Sequence, residues 1–206
     1  MRLDAVLDSA VGQLLGAAVG ACVERGMALS GGVAVGDAAE DQLVSKMKEA
    51  MKTLKIGPCH DADNDFGPVI TKQHQQKVFG YIDSAEEQGA DIVVDGRNPT
   101  IDGYENGFYV GGTLIDRVTA DMDSYDAEIF GPVLQVVRVD SMQQAMDLID
   151  AHEYGNGTCI FTRDGEAEGT SLTTFRSVWS VLISLFLYLW LITALLDGNV
   201  HYLWIY

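Results

Sequence analysis

The chain has 206 residues, enough for one domain with its own core or for one domain and an appendage. Its formal charge of −17, from 30 acidic and 13 basic side chains, argues against nucleic acid or an anionic membrane surface as a partner. The cysteines, Cys22, Cys59 and Cys159, are widely spaced and odd in number with no C-x-x-C pair, which reads against a disulfide framework or a zinc site and for a reducing interior.

The start, with a lone Arg2 followed by Asp4 and Asp8, has neither the basic head and apolar core of a signal peptide nor the arginine-rich look of a transit peptide. Residues 3–23 are expected to be helical, because Leu3, Val6, Leu7, Ala10, Val11, Leu14, Leu15 and Ala18 recur at three- and four-residue steps. Residues 27–35 read as a strand weakened by Gly31 and Gly32. A helix is predicted from about Ala38 to Leu54, with Leu43, Val44, Met47 and Met51 on one face, followed by a polar loop from Gly57 to Gly67.

Thr71 is a plausible cap for a helix running through Gln88 and ended by Gly89. Ile92-Val93-Val94 reads as a short buried strand, 98–107 as a polar loop, and Phe108-Tyr109-Val110 and Thr113-Leu114-Ile115 as strand pieces. The run 133–139 is a strand. Ser141, with Gln144 three residues on, has capping-box spacing for a helix through Ala151. Cys159 to Thr162 is another strand. Helices alternating with apolar, unalternating strands predict an α/β sheet covered on both faces.

The last part of the chain differs in character. Residues 176–206 carry only Arg176 and Asp197 as formal charges, so the whole acidic excess lies before them. Residues 178–196 contain no charge, Pro or Gly, and at about 1.5 Å per residue a helix of that length roughly spans a ~30 Å hydrocarbon core. Trp179, Tyr188, Trp190, Tyr202, Trp204 and Tyr206 would suit an interface belt.

Several segments carry a resemblance. They are Glu24-Arg25-Gly26-Met27-Ala28, Asp65-Phe66-Gly67-Pro68-Val69-Ile70-Thr71, Asp95-Gly96-Arg97, Gly111-Gly112-Thr113-Leu114, Glu128-Ile129-Phe130-Gly131-Pro132-Val133, and Tyr154-Gly155-Asn156-Gly157-Thr158 running into Ile160-Phe161-Thr162-Arg163-Asp164-Gly165. Their order and spacing over residues 1–168 resemble the catalytic domain of aldehyde dehydrogenases, and are most similar to the methylmalonate-semialdehyde branch. The resemblance stops at about residue 169. It implies an aldehyde dehydrogenase-type α/β catalytic domain over 1–168, incomplete and without its cofactor domain, and a hydrophobic tail over 169–206 with a candidate transmembrane helix at 178–196.

The resemblance also implies a chemistry: a thiolate attacks the aldehyde, donors hold the oxyanion, NAD takes the hydride, and water or coenzyme A releases the thioester. In this branch the nucleophilic cysteine follows Glu-Arg, and here that position is Gly26, which has no side chain with which to attack. Val23 and Gly31-Gly32 are departures in the same neighbourhood. Cys22 lies one helical turn away, about 6 Å along the axis, too far for a reaction that needs near-contact placement, and reads as core. Cys59, although next to His60, has no geometric warrant as a nucleophile, and Cys159 reads as core.

By the same resemblance, Glu128 would accept the ribose hydroxyls of NAD and Phe130 would flank its nicotinamide. Arg25 would meet a substrate carboxylate, for which its planar guanidinium is suited, or be a solvated helix-end charge. No G-x-G-x-x-G follows a strand, and no stretch matches the family's general-base glutamate or oxyanion asparagine. His60, His74, His152 and His201 show no metal-ligand spacing and read as loop or helix-surface residues.

The expected function is therefore, by ancestry, NAD-dependent oxidation of a methylmalonate semialdehyde-like aldehyde to an acyl-CoA or acid, with this chain itself inactive. The alternative is a non-catalytic interaction or membrane-associated protein built from the domain, with a full-length paralogue as a possible hetero-oligomeric partner. The tail is either a membrane anchor or the product of an altered reading frame. The expected compartment is the cytoplasm, or the mitochondrial matrix in a eukaryote, with membrane association possible through the tail.

Overall fold

The structure, a computed structural model, describes residues 31–153, 160–162 and 201–205, the last two stretches through their backbone. The expected helix over 3–23, Arg25, Gly26, Cys22, Cys159 and the candidate membrane helix at 178–196 lie outside the described residues.

Three parallel strands form the centre. β1 (Gly31–Val35) pairs with β4 (Val133–Val139) in the register Gly32↔Val136, and β4 pairs with β3 (Thr113–Asp116) in the register Thr113↔Val133. β2 (Asp91–Val94) adds to β3 antiparallel. On the other side β6 (His201–Ile205) lies between β1 and β5 (Ile160–Thr162), antiparallel to both, giving the order β2-β3-β4-β1-β6-β5. Parallel strands are normally covered on both faces, which accounts for their unbroken apolar runs.

The covering helices are amphipathic and placed by the residues expected to place them. α1 (Asp37–Met51) buries Leu43, Val44, Met47 and Met51 and packs on β1 and β3. Leu114, Leu134 and Val136, on alternate strand positions from the other core residues, are buried with it. α2 (Lys72–Glu87) and α4 (Met142–Ala151) contribute Val78, Ile82, Ala85, Ala145 and Ile149 to a core with Val33, Val35, Ile115, Val133 and Val137.

The ends of these helices follow the capping residues. Thr71 is extended, with φ −137°, and its hydroxyl accepts the His74 amide, while Gly89 takes φ 102° immediately after the last helical turn. Ser141 accepts the Gln144 amide, but the Gln144 side chain accepts from Asp140 rather than from Ser141, a displaced version of the expected box.

Several expectations are corrected. α1 ends at Met51, not Leu54, with Lys52 as its C-cap. The 92–94 strand is half-buried rather than buried, because it is the edge of the sheet. Phe108-Tyr109-Val110 forms no strand and joins no ladder among the described residues: the Phe108 carbonyl accepts from the Val69 amide and the Tyr109 carbonyl from the Gln75 side chain. A four-residue helix, α3 (Asp123–Asp126), stands where none was predicted. The strand expected over 27–35 is present from Gly31 to Val35, the part that is described, with Gly31 and Gly32 paired in it. Tyr202 and Trp204, expected at a membrane interface, belong to a strand of the sheet.

Candidate functional site

The segment Glu128–Val133 forms a tight turn that feeds β4 from its N-terminal end. Five of its residues are held in place, by the protein body or by one another. Ile129 is buried in the core, and Gly131 packs so closely on α2 that a Cβ there would lie 3.0 Å from Val78 Cγ2. The Pro132 carbonyl accepts from the Thr113 amide at 2.8 Å, and Val133 donates its amide to Gly131 at 2.7 Å. The Phe130 carbonyl lies 2.7 Å from His74 Nε2.

Phe130 is held by this frame in an unusual state. Its φ is 51°, in the left-handed region that bulky residues avoid, and the residue is 40% exposed. Glu128 is half-buried, and among the described residues its carboxylate makes no hydrogen bond or ion pair. A carboxylate with free acceptor oxygens, two residues from an exposed aromatic side chain, can accept hydrogen bonds from hydroxyls and offer a flat apolar face. Among the described residues there is no glycine-rich loop followed by a helix that would cradle its phosphates.

Beside the turn, an open groove of about 490 Å³ runs between α2 and α3, lined by Lys77, Tyr81, Ser84, Asp123 and Asp126. The Lys77 ammonium stands over the Tyr81 ring at 5.5 Å, and Ser84 donates to Asp123 at 3.0 Å. At the N-terminus of α2, Ile70 is 93% exposed. Apolar exposure is thus present both at Ile70 and at Phe130.

The opposite end of the parallel strands carries charge. Arg138 of β4 donates from Nε to buried Asp116 at 2.9 Å and from Nη1 to Asp41 at 2.8 Å, with Glu40 at 3.5 Å. Asp116 raises the Arg138 pKa further above its ordinary value, so this guanidinium is charged at any accessible pH. At the β2–β3 edge, Arg97 is paired with Asp95, Asp83 and Glu86. Its hydrogen bonds hold the Asp95 carboxyl below the ordinary carboxylate range. Both clusters are satisfied internally.

The histidines do not all behave as the sequence suggested. His60 is an exposed loop residue 6.3 Å from the Tyr104 ring. His152 is half-buried, edge-on to Tyr125 at 4.7 Å, with Nε2 3.0 Å from the Tyr125 carbonyl. His74 reaches Phe130 from 56 residues away, and nothing in its local sequence marks that contact. Cys59 is exposed, its sulfur against Gly67. Among the described residues no group of His, Cys, Asp and Glu could hold a metal, and no helix is long and apolar enough to cross a membrane. Glu128 and Phe130 are brought together on one turn, while Arg25 and Gly26 fall outside the described residues.

Comparison with known proteins bears on this turn. The sequence profile of the aldehyde dehydrogenase family matches residues 2–173. A malonate-semialdehyde dehydrogenase of Pseudomonas aeruginosa is 58% identical over 164 residues, which are 80% of this chain and 33% of that protein. The human mitochondrial acylating methylmalonate-semialdehyde/malonate-semialdehyde dehydrogenase is 41% identical over 162 residues, 79% of this chain and 30% of its own length. Among solved structures, a methylmalonate-semialdehyde dehydrogenase from Oceanimonas doudoroffii is 72% identical with a TM-score of 0.76, covering 80% of this chain and 34% of that one. A protein from Sinorhizobium meliloti 1021 described as a methylmalonate-semialdehyde dehydrogenase, complexed with NAD, is 48% identical with a TM-score of 0.77, covering 81% and 34%. The chain therefore spans about a third of the length of the relatives it matches.

Proposed function

Since this chain belongs to the aldehyde dehydrogenase family, we propose that it is catalytic-domain sequence of an NAD-dependent, CoA-acylating semialdehyde dehydrogenase whose cofactor edge survives and whose nucleophile does not. Glu128 accepts hydrogen bonds from the ribose hydroxyls, and Phe130 flanks the nicotinamide. Gly26 stands in the nucleophile's place, so the chain does not itself turn the aldehyde over. The substrate class of the lineage is a short 3-oxo acid such as malonate or methylmalonate semialdehyde, with Arg25 suited to its carboxylate and coenzyme A as the acyl acceptor. NAD, when bound, supplies the hydride acceptor. The domain division is a catalytic segment to about residue 168 and a tail of other origin beyond it.

The observation that carries this reading is the exposed Phe130, held at φ 51° two residues after Glu128, whose carboxylate is uncommitted among the described residues. A left-handed Phe has a strain cost of about 1–2 kcal/mol, and strain of this kind clusters at functional sites. The strand register supports it. β1 and β4 are parallel with Gly32 opposite Val136, and the same number of residues separates Gly26 from Gly32 as separates Phe130 from Val136. The segments bearing the nucleophile's position and the cofactor edge thus enter adjacent strands from the same end of the sheet.

Two measurements test the proposal. The purified chain, given malonate or methylmalonate semialdehyde, NAD and coenzyme A, is expected to form no NADH above a heat-treated control. Gly26→Cys is expected to gain an alkylatable thiol and still form none, because the sequence matches neither the family's general-base glutamate nor its phosphate-binding loop. NADH formation by the unaltered chain, abolished by Cys22→Ser, would show that Cys22 replaces the lost nucleophile. For the cofactor edge, nicotinamide mononucleotide is expected to show saturation transfer from the chain that is lost in Glu128→Ala and Phe130→Ala. No transfer from the unaltered chain removes the assignment of that edge.

A further inference from the structure

We propose that His74 is a positioning residue for the cofactor edge: through its Nε2–H it holds the Phe130 carbonyl, and so keeps the Phe130 ring turned outward at positive φ. The proposal rests on the reading of Phe130 as a nicotinamide contact for its functional meaning, but its geometry stands without that reading.

Phe130 O can only accept a hydrogen bond, so the 2.7 Å contact requires the proton on His74 Nε2. The imidazole is itself anchored. Its backbone amide is held by the Thr71 hydroxyl at the N-cap of α2, and α2 is fixed to the core by Val78, Ile82 and Ala85. His74 and Val78 lie one helical turn apart on the same face, and both meet the 128–133 turn. Val78 methyls close on Gly131, and His74 closes on the residue before it.

The other holds on the turn act on its neighbours: the burial of Ile129, the packing of Gly131, and the Thr113 amide on the Pro132 carbonyl. Among the described residues, the hydrogen bond from His74 is the one that acts on the Phe130 carbonyl. An L-residue held left-handed relaxes unless its surroundings over-determine it. Relaxation to a negative φ swings the Phe130 carbonyl about the residue's own N–Cα bond and so breaks the contact with His74; without the imidazole that restraint is gone, and Gly131 accommodates the new direction of the peptide. The ring would then leave the direction in which the residue stands 40% exposed.

The test uses the full chain with isotopic labels and compares His74→Ala with His74→Gln, which keeps a side-chain N–H donor. In the unaltered chain, Phe130 is expected to show the strong intraresidue amide–Hα Overhauser effect of a positive φ, and the 15N shift of Nε2 should be that of a protonated nitrogen. His74→Ala should lower the ratio of held to released turn about fivefold, which is what one neutral hydrogen bond carries. His74→Gln should restore it in large part. Saturation transfer to nicotinamide mononucleotide should fall with the first variant and return with the second. A Phe130 signature unchanged in His74→Ala overturns the proposal, as does equal loss in both variants. Should His74→Ala fail to fold, a bare Nε2 in the unaltered chain overturns it and a protonated one sustains it. If the unaltered chain shows no nucleotide contact at all, the cofactor reading falls, while the Phe130 signature still decides the role of His74.

Discussion

Replacing Phe130 by glycine is expected to leave a more stable protein than replacing it by alanine, the reverse of the usual order. Both substitutions remove the ring and lose the same contacts, so their difference isolates the backbone. Alanine at φ 51° keeps the left-handed cost of about 1–2 kcal/mol, which glycine does not have. Glycine carries a larger unfolded-state entropy, which destabilises it by roughly 0.5–1 kcal/mol. The net is about 0.5–1 kcal/mol in favour of glycine. Gly80 is the internal control: it lies inside α2, and a Cβ added there would meet nothing within 4 Å, so Gly80→Ala should stabilise by about 1 kcal/mol. Urea denaturation followed by circular dichroism measures both pairs, with unchanged m-values licensing the comparison. If Gly80→Ala behaves as stated and Phe130→Ala is as stable as Phe130→Gly, Phe130 is not left-handed in solution and the strain argument for this turn fails.

Two further outcomes follow from other parts of the molecule. Arg138→Met leaves the buried Asp116 carboxylate without its cation and should cost about 3–5 kcal/mol in urea denaturation; a loss below ~1 kcal/mol would mean that the cluster is solvated. Burial pushes the Tyr125 hydroxyl up to about 12, against an unfolded value of about 10. Its contribution is therefore complete below about pH 10 and is lost as pH rises towards 12, by at most about 2–3 kcal/mol. The stability difference between the unaltered chain and Tyr125→Phe, followed by denaturation from pH 9 to 12, should shrink over that window; a constant difference would place the hydroxyl in water.

What could be read from the sequence was local chemistry. Thr71 and Gly89 bracket α2 because a hydroxyl cap and a left-handed glycine act within a few residues, and Ser141 starts α4 for the same reason. The 128–133 turn was visible as a motif, and Glu128 and Phe130 do share it. Phe108-Tyr109-Val110 misled because β-propensity says that a segment can extend, not that a neighbouring strand will be there to pair with it. α3 is too short for any periodicity to show. The place of 201–205 between β1 and β5 was hidden by the apolar composition around it, which matches a membrane segment as well as a buried strand. His74 was invisible because its partner is a backbone carbonyl, and a carbonyl leaves no mark in the sequence.

The glycine at the head of β1 acts as a length gauge. A Cβ on Gly31 would lie 2.8 Å from the Gln135 carbonyl oxygen and 3.4 Å from its Cβ, so β1 cannot creep along β4. A slide of one residue turns every side chain to the wrong face, and a slide of two, which preserves the faces, drives Val33 into a space that admits only a hydrogen. Slack in the connection ahead of the strand therefore cannot be taken up by the sheet. A residue inserted ahead of the strand has to be absorbed within that connection, since one residue of extended chain is about 3.3 Å long. The register of the two central strands is thus set by a side chain that is missing at position 31.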